Sequence, residues 1–219
     1  LKAGNRLYRS PADLPDVIPV FPLAGALLLP EGLLPLQIFE PRYVEMLDFV
    51  LATHRLIGMV QPQITDDQDE VPLRQVGCVG RVTTFSETGD GRYRITLEGI
   101  SRFTILEEIL TDRPFRQCRI EAFPADFTAD DTAGSVDRDG LMQAFQDYLE
   151  AHDLEADWDG VQRAENAALV NALSMMAPYG PEEKQALLEA PDIRQRADTL
   201  VAITEVMLAR ESGDGNKLQ

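Results

Sequence analysis

At 219 residues, 44% of them apolar, the chain is long enough for one large domain or two small ones, and apolar enough to bury a core, which excludes a disordered linker. Its formal net charge of -17 repels phosphate backbones and disfavours nucleic acid as a partner. There is no run of about 18 uninterrupted apolar residues, so a membrane-spanning helix is not expected.

The charge is unevenly placed. From Asp126 to Asp159 eleven acids face one base, Arg138. The stretch reads as a solvated acidic face that keeps the protein soluble, with an acidic docking surface as the second reading. Cys78 and Cys118 sit in alternating apolar stretches and read as two reduced, buried thiols, not a disulfide framework. The first residues, LKAGNRLYRSPADLPD, lack the basic-then-apolar pattern of a secretory signal. A cytoplasmic, bacterial-type protein is the expectation.

Up to about residue 125 the pattern is that of short strands. Ile18–Phe21 reads as a strand, followed by strand candidates Leu27–Leu29 and Leu34–Phe39. Pro41 sits where a first helical residue needs no N–H, and Tyr43, Leu47, Val50 and Leu51 recur at helical spacing, which predicts a helix from about Pro41 to Thr53. Leu56–Val60 is the next strand. Val76–Phe85 and Arg92–Leu97 form a hairpin around Thr88-Gly89-Asp90-Gly91, whose glycines supply positive φ. Phe103–Ile109 and Phe115–Phe123 complete a set that suggests a small barrel.

Beyond residue 125 the pattern is helical. Leu141, Phe145, Tyr148 and Leu149 share one face, and Val161 through Met176 another, in a helix that must end before Pro178. Gly180-Pro181 restarts a short helix, and Asp192 caps a last one through Leu208. The expected division is a barrel over 1–124, a helical bundle over 125–212 and a frayed tail over 213–219.

No catalytic constellation emerges. A glycine-rich loop ending in Gly-Lys-Ser/Thr is missing, and the three lysines, Lys2, Lys184 and Lys217, offer a Ser–Lys dyad only one poor candidate. His54 and His152 fall at helix ends, where the dipole alone favours them. No spacing of His or Cys supports a metal, and Asp66, Asp67, Asp69 and Glu70 lack the glycine and distal glutamate of a calcium loop. Neither cofactor nor metal is expected.

The consecutive leucines Leu27-Leu28-Leu29 and Leu33-Leu34 carry more information. Neighbours on a strand point to opposite faces, so one core cannot take them all. Either both faces are covered, or some leucines line an open groove that binds a partner. The candidate contacts are Leu28, Leu33, Leu34, Leu36 and Met176.

The segment IPVFPLAGALLLPEGLLPLQIFEPRY, from Ile18 to Tyr43, resembles the start of the Lon protease N-terminal, or substrate-binding, domain. The resemblance continues in order through Val76-Gly77-Cys78-Val79-Gly80-Arg81-Val82, Asp90-Gly91-Arg92-Tyr93 and Leu97-Glu98-Gly99-Ile100-Ser101-Arg102-Phe103, and more loosely through the helical half. It implies an α+β fold, a PUA-like six-stranded β-barrel followed by a helical bundle. The likeness is to the stand-alone bacterial type, without the ATPase and Ser–Lys protease modules of full-length relatives. It implies recognition of unfolded or damaged polypeptides, with a separate protease as a further candidate partner. Glu40, Arg42 and Tyr43 match the family's Phe-Glu-Pro-Arg-Tyr block and read as structural: Glu40 favours the helix dipole and Arg42 pairs with an acid. Two other functions remain as alternatives. PUA-like barrels elsewhere hold RNA, and Arg81, Arg92, Arg94 and Arg102 could cluster for that purpose. A hydrolase would need a nucleophile–base pair that the chain does not display.

Overall fold

A computed structural model describes residues 1–63, 71–128, 131–155 and 158–215. The acidic loop Asp66–Glu70 and the last four residues therefore lie outside the described residues. The strands are β1 (Lys2–Ala3), β2 (Arg6–Leu7), β3 (Val17–Pro22), β4 (Leu33–Ile38), β5 (Leu56–Pro62), β6 (Leu73–Glu87), β7 (Tyr93–Ile109) and β8 (Gln117–Ala122). The helices are α1 (Pro41–Ala52), α2 (Arg138–Ala151), α3 (Trp158–Arg163), α4 (Asn166–Met176), α5 (Pro181–Glu189) and α6 (Ile193–Gly215). Strands come first and helices later, an α+β arrangement.

The chain divides into two compact units. The first comprises Leu1–Ala129 with Pro178–Leu188, and the second Asp130–Ala177 with Glu189–Gln219. The sequence places residues 125–212 in one bundle, whereas the segment carrying most of α5 groups with the strands. Polar bonds tie the two together. Gln61 Nε2 donates to the Pro181 carbonyl at 2.8 Å and to Gln185 Oε1 at 3.1 Å, while Gln185 Nε2 donates to the Val76 carbonyl at 3.2 Å. Gln61 and Gln185 are both buried, and each is held by bonds that satisfy it there.

In the first unit six strands form one sheet in the order β4-β7-β6-β5-β3-β8, and a further β7–β8 pairing closes it. The closed ring runs through β7, β6, β5, β3 and β8, with β4 outside it. β7 explains this geometry. One of its edges pairs with β6, while the other takes β4 along Tyr93–Glu98 and then β8 along Phe103–Ile109. The sequence reads this stretch as two strands separated at Gly99. The structure has one continuous strand, because Gly99 serves a close approach and not a break: a Cβ there would lie 2.0 Å from the Leu29 carbonyl oxygen.

The barrel core gathers Ile18, Val20, Leu56, Val60, Val79, Ile100, Phe103, Cys118 and Ile120, with Ala3, Tyr8 and Leu14 from the first residues. Phe103 needs glycine opposite. Its ring lies over Gly77, its cross-strand partner, and beside Gly58, with each hypothetical Cβ within 3.0 Å of it. The hairpin between β6 and β7 turns through Gly89 and Gly91 at φ of 80° and 79°, as the sequence predicts.

In the second unit the predicted single helix over Val161–Met176 is two. α3 ends at Arg163, and Glu165, with extended φ and ψ, caps α4. Arg138 holds the break together: its guanidinium donates to Asn166 Oδ1 and to the Val161 carbonyl, both at 2.8 Å. α6 remains helical to Gly215, through residues the sequence assigns to a frayed tail. No helix among the described residues is long and apolar enough to cross a membrane.

Candidate functional site

Because β4 lies outside the ring, β4, the first half of β7 and the second half of β6 form a three-stranded ribbon. Its pairing sets two faces. Leu36 faces Ile95, which faces Phe85, and Leu34 faces Leu97. Leu33, Pro35 and Gln37 alternate to the other face with Glu98, Thr96 and Arg94. On the apolar face Ile95 and Leu97 are buried, Leu34 and Leu36 are half-buried, and Phe85 is 48% exposed. Phe39, just past β4, is 60% exposed, with the Arg92 guanidinium 6.0 Å from its ring centroid. A cleft of about 460 Å³ follows the ribbon, lined by Pro35, Leu36, Gln37, Phe85, Arg94 and neighbouring threonines and serine.

The five predicted contact residues do not form one patch. Leu34 and Leu36 share the apolar face. Leu33 is 60% exposed on the opposite one. Leu28 is 1% exposed and is no surface residue: Leu27, Leu28 and Leu29 form an irregular segment, not a strand, and all three are sealed. Leu28 fills the hollow over Gly80, where a Cβ would come within 2.7 Å of its methyl group. Met176 belongs to the second unit and is 81% exposed. Phe85 joins this face although the leucine runs do not point to it; the alternation of β6 is the signal for it.

The Phe-Glu-Pro-Arg-Tyr block starts α1. Glu40 occupies the capping position in extended conformation. Arg42 pairs with Glu40 at 2.8 Å and stacks its guanidinium 4.5 Å from the Tyr43 ring centroid. Tyr43 is buried against Phe21, with ring centroids 4.2 Å apart, and this burial raises its phenol above the ordinary value. The three residues brace the helix entrance.

Reactive groups are subdued. Burial pushes the Cys118 thiol up to about 11, so it stays protonated at neutral pH. Burial and then the Arg6 charge lower His54, whose neutral Nδ1 accepts from the Leu56 N–H at 3.0 Å. His152 stacks on Tyr148 with ring centroids 4.2 Å apart. Among the described residues no group of three or more His, Cys, Asp or Glu side chains is placed to hold a metal ion.

The four arginines considered for RNA do not act as a cluster. Arg102 is buried in an ion pair with Asp126, Arg81 donates to the His54 carbonyl at 3.0 Å, and Arg92 pairs with Asp90. Only Arg94 of the four is exposed with no ion pair among the described residues.

A family model for the ATP-dependent protease La (LON) substrate-binding domain matches residues 17–205. Lon protease of Anaeromyxobacter dehalogenans is 25% identical over 190 residues, covering 84% of this chain and 22% of that protein. Lon protease 2 of Sorangium cellulosum is 27% identical over 202 residues, covering 88% and 25%. The chain thus spans about a quarter of the length of these curated relatives. A crystal structure of a Lon N-terminal domain protein from Xanthomonas campestris superposes with a TM-score of 0.61 at 22% identity, covering 85% of this chain and 97% of the other. The N-terminal domain of a Mycobacterium avium complex Lon protease gives 0.63 at 15% identity, covering 86% and 98%. These two likenesses are of fold, and they agree with the α+β arrangement of strands followed by helices that the sequence leads one to expect. Matched over most of its length, the chain belongs to the ATP-dependent protease La (LON) substrate-binding domain family.

Proposed function

We propose that this chain is a non-catalytic module that recognises extended segments of unfolded or damaged polypeptide. One observation carries the reading: the row Leu36–Ile95–Phe85, with Leu34 beside it, leaves apolar side chains partly uncovered on a ribbon that stands outside the closed barrel. Such a surface takes large apolar side chains from a chain that has lost its own core. Contact is through side chains more than by strand addition, since Pro35 removes a donor from β4. The family's description as a substrate-binding domain supports the same reading.

The non-catalytic part rests on chemistry. Lys184, the one lysine away from the chain ends, is buried at 3% exposure, and the Cys118 thiol is protonated. Two buried cysteines that form no disulfide fit a reducing, cytoplasmic setting. Delivery of the guest to a separate protease is the accompanying proposal, checked by crosslinking in cells.

The test is binding of a permanently unfolded model protein, in competition with a hydrophobic dye. The wild-type chain binds both. The double variant Leu36→Asp, Phe85→Asp loses both while keeping its circular dichroism. Retained binding in that variant would overturn the assignment of the surface. Cleavage of the guest, with or without ATP, would overturn the non-catalytic reading.

A further inference from the structure

The second unit carries a groove of about 690 Å³ between α2 and α3. Its apolar lining comes from Met142, Leu149, Leu154 and Trp158, and its charged lining is Glu150 and Glu155. Leu154 is 53% exposed and Trp158 37% exposed, so large apolar groups lie open beside carboxylates. Trp158 meets Phe145 edge-on, with ring centroids 6.1 Å apart, which fixes its ring while the indole still lines the groove. Glu150 accepts from Gln146 Nε2 at 3.1 Å, which positions the carboxylate and leaves acceptor capacity for a guest.

The electrostatic setting is one-signed. Among the described residues no basic side chain lines the groove, Asp147 and Asp153 are exposed nearby, and the stretch from Asp126 to Asp159 holds eleven acids to one base. Apolar side chains on their own would accept any greasy partner. Rimmed by carboxylates, and with a part-exposed indole beside them, they select a partner of opposite charge. We propose that the α2–α3 groove binds a cationic amphipathic segment of polypeptide, an arginine- or lysine-bearing stretch with a large apolar residue beside the charge. The apolar residue enters between Met142, Leu149 and Leu154. The cation lies against Trp158 and the Glu150 and Glu155 carboxylates. A second copy of this chain is a poor occupant, because each copy carries a charge of -17. This site is separate from the β4 ribbon and does not depend on that reading.

Trp158 is the only tryptophan in the chain and reports on the groove directly. The full chain is titrated with a short peptide of alternating arginine and leucine while tryptophan emission is followed, and with dye-labelled peptide while anisotropy is followed. The expected result is saturable binding with an emission shift. It is lost when glutamate replaces the arginines or serine the leucines. Both high salt and the double variant Glu150→Gln, Glu155→Gln weaken it by about tenfold, as expected for charge pairing at a desolvating surface. Both glutamates are exposed, so the glutamine variants keep their fold, which circular dichroism checks. Absence of saturable binding, equal binding of the glutamate-leucine peptide, or unchanged affinity in the glutamine variant would overturn the proposal. So would a peptide-free emission shift that grows with protein concentration, which would place a second copy in the groove.

Discussion

Arg102 and Asp126 are locked together inside the first unit. Their side chains are 4% and 7% exposed, with Nη2 to Oδ1 at 2.7 Å and Nε to Oδ2 at 3.0 Å. The Arg102 backbone N–H also donates to Asp126 Oδ2 at 2.7 Å, and Nη1 donates to the Leu188 carbonyl at 3.3 Å. One carboxylate therefore ties β7 to the turn after β8, and one guanidinium reaches the end of α5.

Removing one partner strands the other. Asp126→Ala leaves a buried guanidinium uncompensated and is expected to cost about 3–5 kcal/mol in urea denaturation. The double variant Arg102→Met, Asp126→Leu removes both charges and should recover most of that loss. Equal losses in the single and double variants would show that the pair matters through packing alone.

Gly77→Ala introduces a methyl group where the Met59 carbonyl oxygen and the Phe103 ring each lie 2.5 Å from the new carbon. Neither neighbour is a flexible chain end. The expected loss is about 1–3 kcal/mol, read from the denaturation midpoint at unchanged slope.

Leu28 and Leu33 separate burial from exposure within one leucine-rich segment. Leu28→Asp places an unpaired charge in a sealed site and should cost at least about 3 kcal/mol, or prevent folding. Leu33→Asp, at 60% exposure, should move stability by no more than about 0.5 kcal/mol. Thermal denaturation of the two variants side by side decides this.

Burial lowers the Lys184 ammonium to about 8, below the ordinary lysine value of 10.5. Below about pH 8 it is charged in both folded and unfolded states, and the full burial cost applies. Between about pH 8 and 10.5 the unfolded chain binds more protons than the folded one, so stability rises with pH through that window. This component is on the order of 3 kcal/mol. Lys184→Met should lose it, and the wild-type minus variant difference in denaturation between about pH 7.5 and 10 measures it.

Most strands were legible because alternation of apolar residues survives wherever one face is buried and the other wet, as in β4 and β8. What escaped reading depends on partners distant in sequence. Gly99 looks like a strand break until the Leu29 carbonyl is placed against it. Leu27–Leu29 looks like a strand until Gly80 and Gly99 offer it a hollow. α5 looks like part of a bundle until Gln61 and Gln185 meet. The first residues gave no signal that Tyr8, at 0% exposure, closes the core, with its N–H bonded to the Leu1 carbonyl at 2.9 Å. The ribbon was half visible: Leu34 and Leu36 follow from the leucine run, but their alignment with Phe85 needed the register of β6.

The shared edge of β7 has a protective consequence. β4 and β8 occupy successive stretches of that edge, and between them Gly99 is covered by the Leu29 carbonyl while Arg102 is held by Asp126. A foreign strand that displaced β4 would meet a firebreak before reaching β8. Template-driven pairing begun at the ribbon would have to break both contacts before prising open the ring.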